Sequence, residues 1–320
     1  MLGTRIYLAP IGSGVGDVIV ALPAFTWLAA QGASVYLVAR GPRQLGFDAA
    51  IPNLSGVVRE PDLPSILASG PTARYINLRD HDIQRNYDWY GEAFDRDYPG
   101  YGITDIMSLV ARDHGVFADF NTFPRLSFSP CVAARDSVLL VPGTTSDFKA
   151  LPTSTWLSLI SALRAQSIPL LVLGEPDRSP VVADLISSGV PHLPTPSMQL
   201  AIDAISSSRA CISVDTGLMH IAVQQGIPTV AIFNNVHAYY RAAPNCIPIF
   251  GPACATECKM QNPGNFPYPV DYKEWIWWEG EYSYCRAEAT QHCMSRITLD
   301  SLLSAYSACD ALRSADSVPM

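Results

Sequence analysis

The stretch Arg5-Ile-Tyr-Leu-Ala-Pro-Ile-Gly12-Ser-Gly14-Val-Gly16-Asp17-Val-Ile-Val-Ala-Leu-Pro23-Ala-Phe25 decides how the chain is read. Arg5 to Ala9 is an apolar run of strand length. Glycines at 12, 14 and 16 punctuate it, and apolar residues at helical spacing continue through Ala30, where Gly32 supplies a stop. Ser34-Val-Tyr-Leu-Val-Ala39 follows as a second strand. Strand, glycine turn, helix and strand in so short a span form a βαβ unit, which favours a parallel sheet.

Working outward, Tyr75-Ile-Asn-Leu78 reads as a strand and Ile103 to Gly115 as a helix. The alternation restarts after Pro130. Ser137–Val141, Pro169–Leu173, Ala210–Val214 and Thr229–Phe233 read as strands, with helices at Thr153–Gln166, Ser179–Ser188, Ser197–Ser207 and Gly217–Gln225. Two α/β units are therefore expected, over residues 1–133 and 134–320. The second includes a Cys/Trp-rich element at 251–293 and a terminal amphipathic helix at 298–313.

The composition agrees. At 320 residues the chain exceeds the roughly 250–300 residues at which a single core stops growing. With 48% hydrophobic and 16% charged residues it can bury a large interior. A net charge of −8 lacks the basic excess that draws proteins onto phosphate backbones or anionic lipid, so no nucleic-acid partner is expected. The apolar stretch Val18 to Ala30 is thirteen residues long and holds Pro23, short of the about twenty a membrane span needs. Asp17 and the glycines interrupt any secretory leader, so a cytoplasmic protein without a transmembrane segment is expected.

Three segments carry chemistry. Gly12 to Asp17 lies where backbone N–H groups and a helix dipole favour an anion or a closely approaching ligand. The glycines also serve a tight turn alone, and Asp17 either complements the helix dipole or takes a proton from an acceptor hydroxyl. A dinucleotide fold would want an acid at the end of the second strand. Arg40 stands there instead, which disfavours NAD and leaves an NADP-linked oxidoreductase as the alternative. Gly143-Thr144-Thr145-Ser-Asp-Phe-Lys149 offers hydroxyls and an ammonium to a phosphate, in a chain with three lysines against eighteen arginines. Ser213-Val-Asp215-Thr216-Gly217-Leu-Met-His220 sets an acid, a hydroxyl and a glycine at a strand-to-helix junction, with His220 one turn in. Read alone, Asp215 serves equally as an N-cap and His220 as a packing histidine. Glu175, just past a strand, is of the type that pairs with ribose hydroxyls.

Together, Gly16-Asp17-Val-Ile-Val-Ala-Leu-Pro23, the Thr144 to Lys149 loop and Val214-Asp215-Thr216-Gly217-Leu-Met-His220-Ile-Ala222 with Gly226-Ile-Pro228-Thr resemble the ADP-heptose heptosyltransferases of glycosyltransferase family 9. The likeness runs in order along residues 5 to 235. It implies a GT-B architecture, two Rossmann-like domains facing across a cleft, with the N-terminal domain taking a glycan or protein acceptor and the C-terminal one the nucleotide-diphosphate sugar. By the same resemblance Asp17 is the general base, and Thr144, Thr145 and Lys149 contact the diphosphate. Glu175 holds the ribose and Met198 lines the adenine pocket, while Asp215, Thr216, Gly217 and His220 close around the phosphates and sugar. An inverting transfer without a catalytic metal is implied. A non-catalytic sugar-binding or assembly subunit of the same fold is the other alternative.

Cys254, Cys258, Cys285 and Cys293 supply four thiolates, enough for one structural zinc or iron. The alternative is that the same cysteines stay reduced or form disulfides without a metal. Some family members that modify bacterial autotransporters resemble this in carrying a four-cysteine iron element and in forming large oligomers, so homo-oligomerisation is compatible with the pattern. Cys131, Cys211, Cys246 and Cys309 read as ordinary thiols. Trp275, Trp277 and Trp278 read as packing residues rather than sugar platforms.

Overall fold

The structure, a computed structural model, describes residues 3–68, 73–85, 92–144, 149–234, 241–252 and 293–316. In chain order the first half contains β1 (Arg5–Ala9), α1 (Val15–Ala30), β2 (Ser34–Ala39), a 3-10 helix at Pro42–Phe47, β3 (Leu54–Arg59), α2 (Leu63–Ala68), β4 (Ala73–Asn77), α3 (Asp82–Arg85), α4 (Glu92–Asp97) and α5 (Ile103–Asp113). Its four strands lie in the order β3-β2-β1-β4, all parallel. The second half contains β5 (Val138–Val141), α6 (Thr153–Ala165), β6 (Leu170–Val172), α7 (Pro180–Ser187), α8 (Met198–Ser207), β7 (Ala210–Val214), α9 (Gly217–Gln224), β8 (Thr229–Phe233), β9 (Cys246–Phe250) and α10 (Leu299–Asp316). Among the described residues its strands run β6-β5-β7-β8-β9, all parallel.

Successive side chains of a strand point to opposite faces, and each sheet uses this to fill two cores. In the first sheet Ile6, Leu8, Val35 and Leu37 face α1 and α5, while Tyr7, Ala9 and Val38 face Leu63 of α2. In the second, Leu139, Val141 and Cys211 share the cluster of Ile202, Ile205 and Ile221 from α8 and α9. Val138, Leu140, Ile212, Val214 and Ile232 join Trp156 and Leu163 of α6 and Leu302, Tyr306 and Cys309 of α10. The α1-side core is continuous from one sheet to the other.

That continuity explains the composition of α1. Val18, Ile19, Val20, Ala21, Leu22, Phe25 and Leu28 are all buried, on every side of the helix, because α1 lies between its own sheet, α5 and α9. A helix apolar all round belongs in an interior, so the thirteen-residue run is a core helix. Among the described residues, no helix is long and apolar enough to cross a membrane.

The strand expected at Tyr75–Leu78 begins two residues earlier, and the Leu78 amide still donates to the Ala9 carbonyl at 3.1 Å. Strands β3 and β9 have no counterpart among the predicted elements. The terminal helix buries Leu302, Ala305, Tyr306 and Cys309, an i, i+3, i+4, i+7 stripe.

Candidate active site at the junction of the two halves

Both candidate segments are loops between a strand's carboxyl end and the N-terminus of the next helix, where parallel α/β sheets hold ligands. In the first half Gly14 is the N-cap of α1, and its N–H donates to the Asp17 Oδ2 at 2.7 Å. The carboxylate folds back over the turn, so a Cβ on Gly12 would stand 2.6 Å from the Asp17 Cγ. The anion that this glycine turn cradles is the chain's own carboxylate.

In the second half Asp215 follows β7 and is buried. Its Oδ2 lies 2.6 Å from the Lys149 Nζ and its Oδ1 lies 3.5 Å from the His220 Nε2. Burial alone would raise the Asp215 pKa, but Lys149 and His220 outweigh it and hold the carboxyl well below the usual carboxylate range. Thr216 is the N-cap of α9 in extended conformation, and its hydroxyl makes no capping bond.

The two helix N-termini abut. A Cβ on Gly16 would come within 2.7 Å of the His220 Cδ2, and one on Gly217 would overlap Val15 and stand 3.2 Å from the Gly16 amide nitrogen. Only glycine at both positions lets α1 and α9 approach this closely. Asp17 is thereby brought into the field of His220, Arg79 and Lys149. Its pKa is nevertheless raised, because burial outweighs the Gly14 N–H and these three side chains. The site therefore pairs a carboxylate with a raised affinity for a proton with a Lys149–Asp215–His220 cluster from the other half. A carboxylate that can take a proton, and an ammonium beside a helix N-terminus, are the two kinds of group that serve transfer onto a hydroxyl with an anionic leaving group.

The remaining predicted residues fall as follows. Thr144 is partly buried at the end of the loop leaving β5, and Thr145 lies outside the described residues. Glu175 is exposed and pairs with Arg178 at 2.7 Å. Met198 opens α8 and packs on the first half, where a Cβ on Gly46 would stand 2.6 Å from the Met198 Cβ. Cys254, Cys258, Cys285 and the three clustered tryptophans lie outside the described residues. Cys293 is buried, and a Cβ on Gly251 would stand 2.9 Å from its own Cβ. Among the described residues no three His, Cys, Asp or Glu side chains group as metal ligands.

Arg40 does not serve a cofactor phosphate. Its side chain is 1% exposed, with Nε on the Glu60 Oε1 at 2.9 Å and Nη2 on the Asn77 Oδ1 at 2.5 Å. With the glycine turn filled by Asp17 as well, the NADP-linked reading fails on geometry.

Two residues at the site carry no sequence signal used above. Arg79 follows β4, with Nε 3.4 Å from the Ile11 carbonyl oxygen; a basic residue just past a parallel strand's carboxyl end was the available clue. Gln44 reaches the turn from more than thirty residues away in sequence, a contact no local pattern announces.

Two parallel α/β halves meeting at their strands' carboxyl ends over such a site form a GT-B architecture. Solved structures share that fold. The glycosyltransferase family 9 protein of Veillonella parvula matches with TM-score 0.66 at 14% identity, over 97% of this chain and 98% of that one. E. coli ADP-heptose LPS heptosyltransferase II matches with TM-score 0.65 at 13% identity, over 97% and 99%. The iron-containing dodecameric glycosyltransferase TibC of enterotoxigenic E. coli matches with TM-score 0.60 at 13% identity, over 97% and 76%. The profile of glycosyltransferase family 9 (heptosyltransferase) matches residues 78–244, more than half of the sequence, and the chain belongs to that family. No curated protein matches it.

Proposed function

We propose that the chain is an inverting heptosyltransferase that takes its sugar from ADP-heptose and passes it to a glycan or protein acceptor. The observation that carries this reading is the meeting of Asp17 with the Lys149–Asp215–His220 cluster across the two halves. In the reaction the acceptor oxygen attacks the anomeric carbon as the bond to the diphosphate breaks, and the electron pair leaves on the phosphate oxygen. Asp17 takes the acceptor's proton, for which its raised pKa suits it. Lys149, Thr144, Thr145 and the N-terminus of α9 with Thr216 and Gly217 receive the negative charge that develops on the leaving group. Asp215 and His220 face the sugar, Glu175 the ribose and Met198 the adenine. Residues 1–133 form the acceptor half and residues 134–320 the donor half.

Lys149 donates to Asp215 at 2.6 Å, so a diphosphate at this site shares that ammonium with a carboxylate. A nucleotide-activated donor fits the cytoplasmic setting expected from the sequence. For Cys254, Cys258, Cys285 and Cys293, thiolate chemistry supports a structural zinc or iron, and an oligomer is proposed by likeness to the dodecameric TibC.

The test is thermal stabilisation by ADP-heptose against UDP-, GDP- and CDP-sugars, followed by transfer assays, with elemental analysis of the same preparation. ADP-heptose is expected to stabilise most. Asp17→Ala should abolish transfer while keeping donor binding. Retained turnover removes Asp17 as the base, and stabilisation by another nucleotide sugar removes the donor assignment.

A further inference from the structure

Gln44 is fully buried in the 3-10 helix that follows β2, a position where an apolar side chain would suffice for packing. Its amide is used instead on the Gly12–Gly16 turn. Nε2 donates to the carbonyl oxygens of Gly12 and Gly14, at 3.0 Å each, and Oε1 accepts from the Arg40 N–H at 2.8 Å. The two carbonyls belong to the peptide planes on either side of the plane that carries the Gly14 N–H. Pinning both leaves that N–H little freedom in a turn where three glycines would otherwise allow a great deal. The Gly14 N–H is the donor that meets Asp17 at 2.7 Å. The same short helix faces the donor half, since its Gly46 lies against Met198 of α8.

We propose that Gln44 is a positioning residue for transfer: it clamps the glycine turn so that the Gly14 amide holds the Asp17 carboxylate in its working orientation. The inference rests on the reading of Asp17 as the base. The groups facing Asp17 from other elements are His220 of α9, Arg79 after β4 and Lys149 after β5, and none of them is changed by substituting Gln44.

Gln44→Met keeps the volume and removes the amide. Gln44→Leu removes the amide without adding a charge near Asp17, and it serves where the methionine variant does not fold. Asp17 is followed directly by NMR titration of 13Cγ-labelled aspartate, assigned with Asp17→Asn. Loss of a fixed N–H favouring the carboxylate should move the Asp17 midpoint upward. With donor and acceptor supplied, kcat should fall roughly tenfold to a hundredfold, as for a displaced reacting group. Its acid limb should move to higher pH, with KM for the donor little changed. A folded variant with the wild-type midpoint overturns the proposal whatever its kinetics. Transfer that survives in Asp17→Asn overturns the base assignment separately, because the titration result stands without activity.

Discussion

Asp17 works against the stability of the fold that holds it. Its folded-state pKa is raised by burial, so stability is fully present below the unfolded value, about 3.9, and is lost as pH rises through the folded one. Asp17→Asn keeps an oxygen to accept the Gly14 N–H and removes only the charge. The variant should therefore melt above wild type at neutral pH, with the gap closing as the pH falls towards the unfolded value. A gap of the same size at both ends of a pH series of melting curves would remove the charge as its cause. Asp215 has the opposite sign: its depressed pKa contributes stability above the unfolded value that is lost only on acidification. A carboxylate kept at a stability cost beside Lys149 and Arg79 is what the proposed role of Asp17 as base requires. At this scale the sequence was informative where a residue sits in its own loop. Asp17, Lys149, Asp215 and His220 each stand in a strand-to-helix segment with a local signature. Gln44 and Arg79 act through contacts made only by the folded sheet: Arg79 is marked in sequence by nothing beyond its place just past β4, and Gln44 by nothing at all.

The contact of α1 with α9 is the element on which the site depends, and it is made by what two residues lack. Gly16 and Gly217 leave room for the ring of His220 and the side chain of Val15. Gly217→Ala puts a methyl group where Val15 already is, an overpacking that costs about 1–3 kcal/mol. The relief available is separation of the two helices, which carries Asp17 away from His220. Loss of stability in denaturant titrations is expected together with loss of transfer. A Gly217→Ala protein with wild-type stability and kcat would mean that the two helices do not work in contact. The longer helices and the central strands were legible from apolar runs of their own length, whereas α2, α3 and α4, of four to six residues, are too short to show a period. β3, Leu54–Arg59, was not, because Ser55 and Gly56 break its apolar run and none of its residues is fully buried. β9, Cys246–Phe250, carries Pro248 in a short edge strand, a residue that argues against a strand on sequence grounds and is tolerated only at an edge.

Across the whole molecule, α9 is fastened to the first half at both ends. Its N-terminus meets α1, and its C-terminal end grips the chain that crosses between the sheets. Gln224 Nε2 donates to the Pro124 carbonyl oxygen at 2.6 Å. Gln225 exchanges two bonds with Leu126, at 2.8 and 3.1 Å. Arg241 closes the clamp from the far side. Buried to 4% exposure, it donates to Gln224 Oε1 at 2.5 Å and to the carbonyl oxygens of Phe120 and Thr122 at 3.2 and 2.5 Å, and its guanidinium lies 4.1 Å from the centre of the Phe123 ring. Burial pushes its pKa down to about 10, so at neutral pH the cation is retained inside the protein. The crossing segment is thus held to the same helix that presents His220 to the site, which ties the spacing of the halves to the geometry of the reacting groups. Arg241→Met fills much of the volume but leaves a side-chain amide and two carbonyls without their donor. The cost of leaving buried acceptors unmet is about 1–3 kcal/mol. A lower denaturant midpoint is expected, and a single wild-type unfolding transition should separate into two as the sheets lose their common fastening. An Arg241→Met chain that unfolds in one step at the wild-type midpoint would show that the clamp does not couple the halves, and would leave the α1–α9 contact to do so alone.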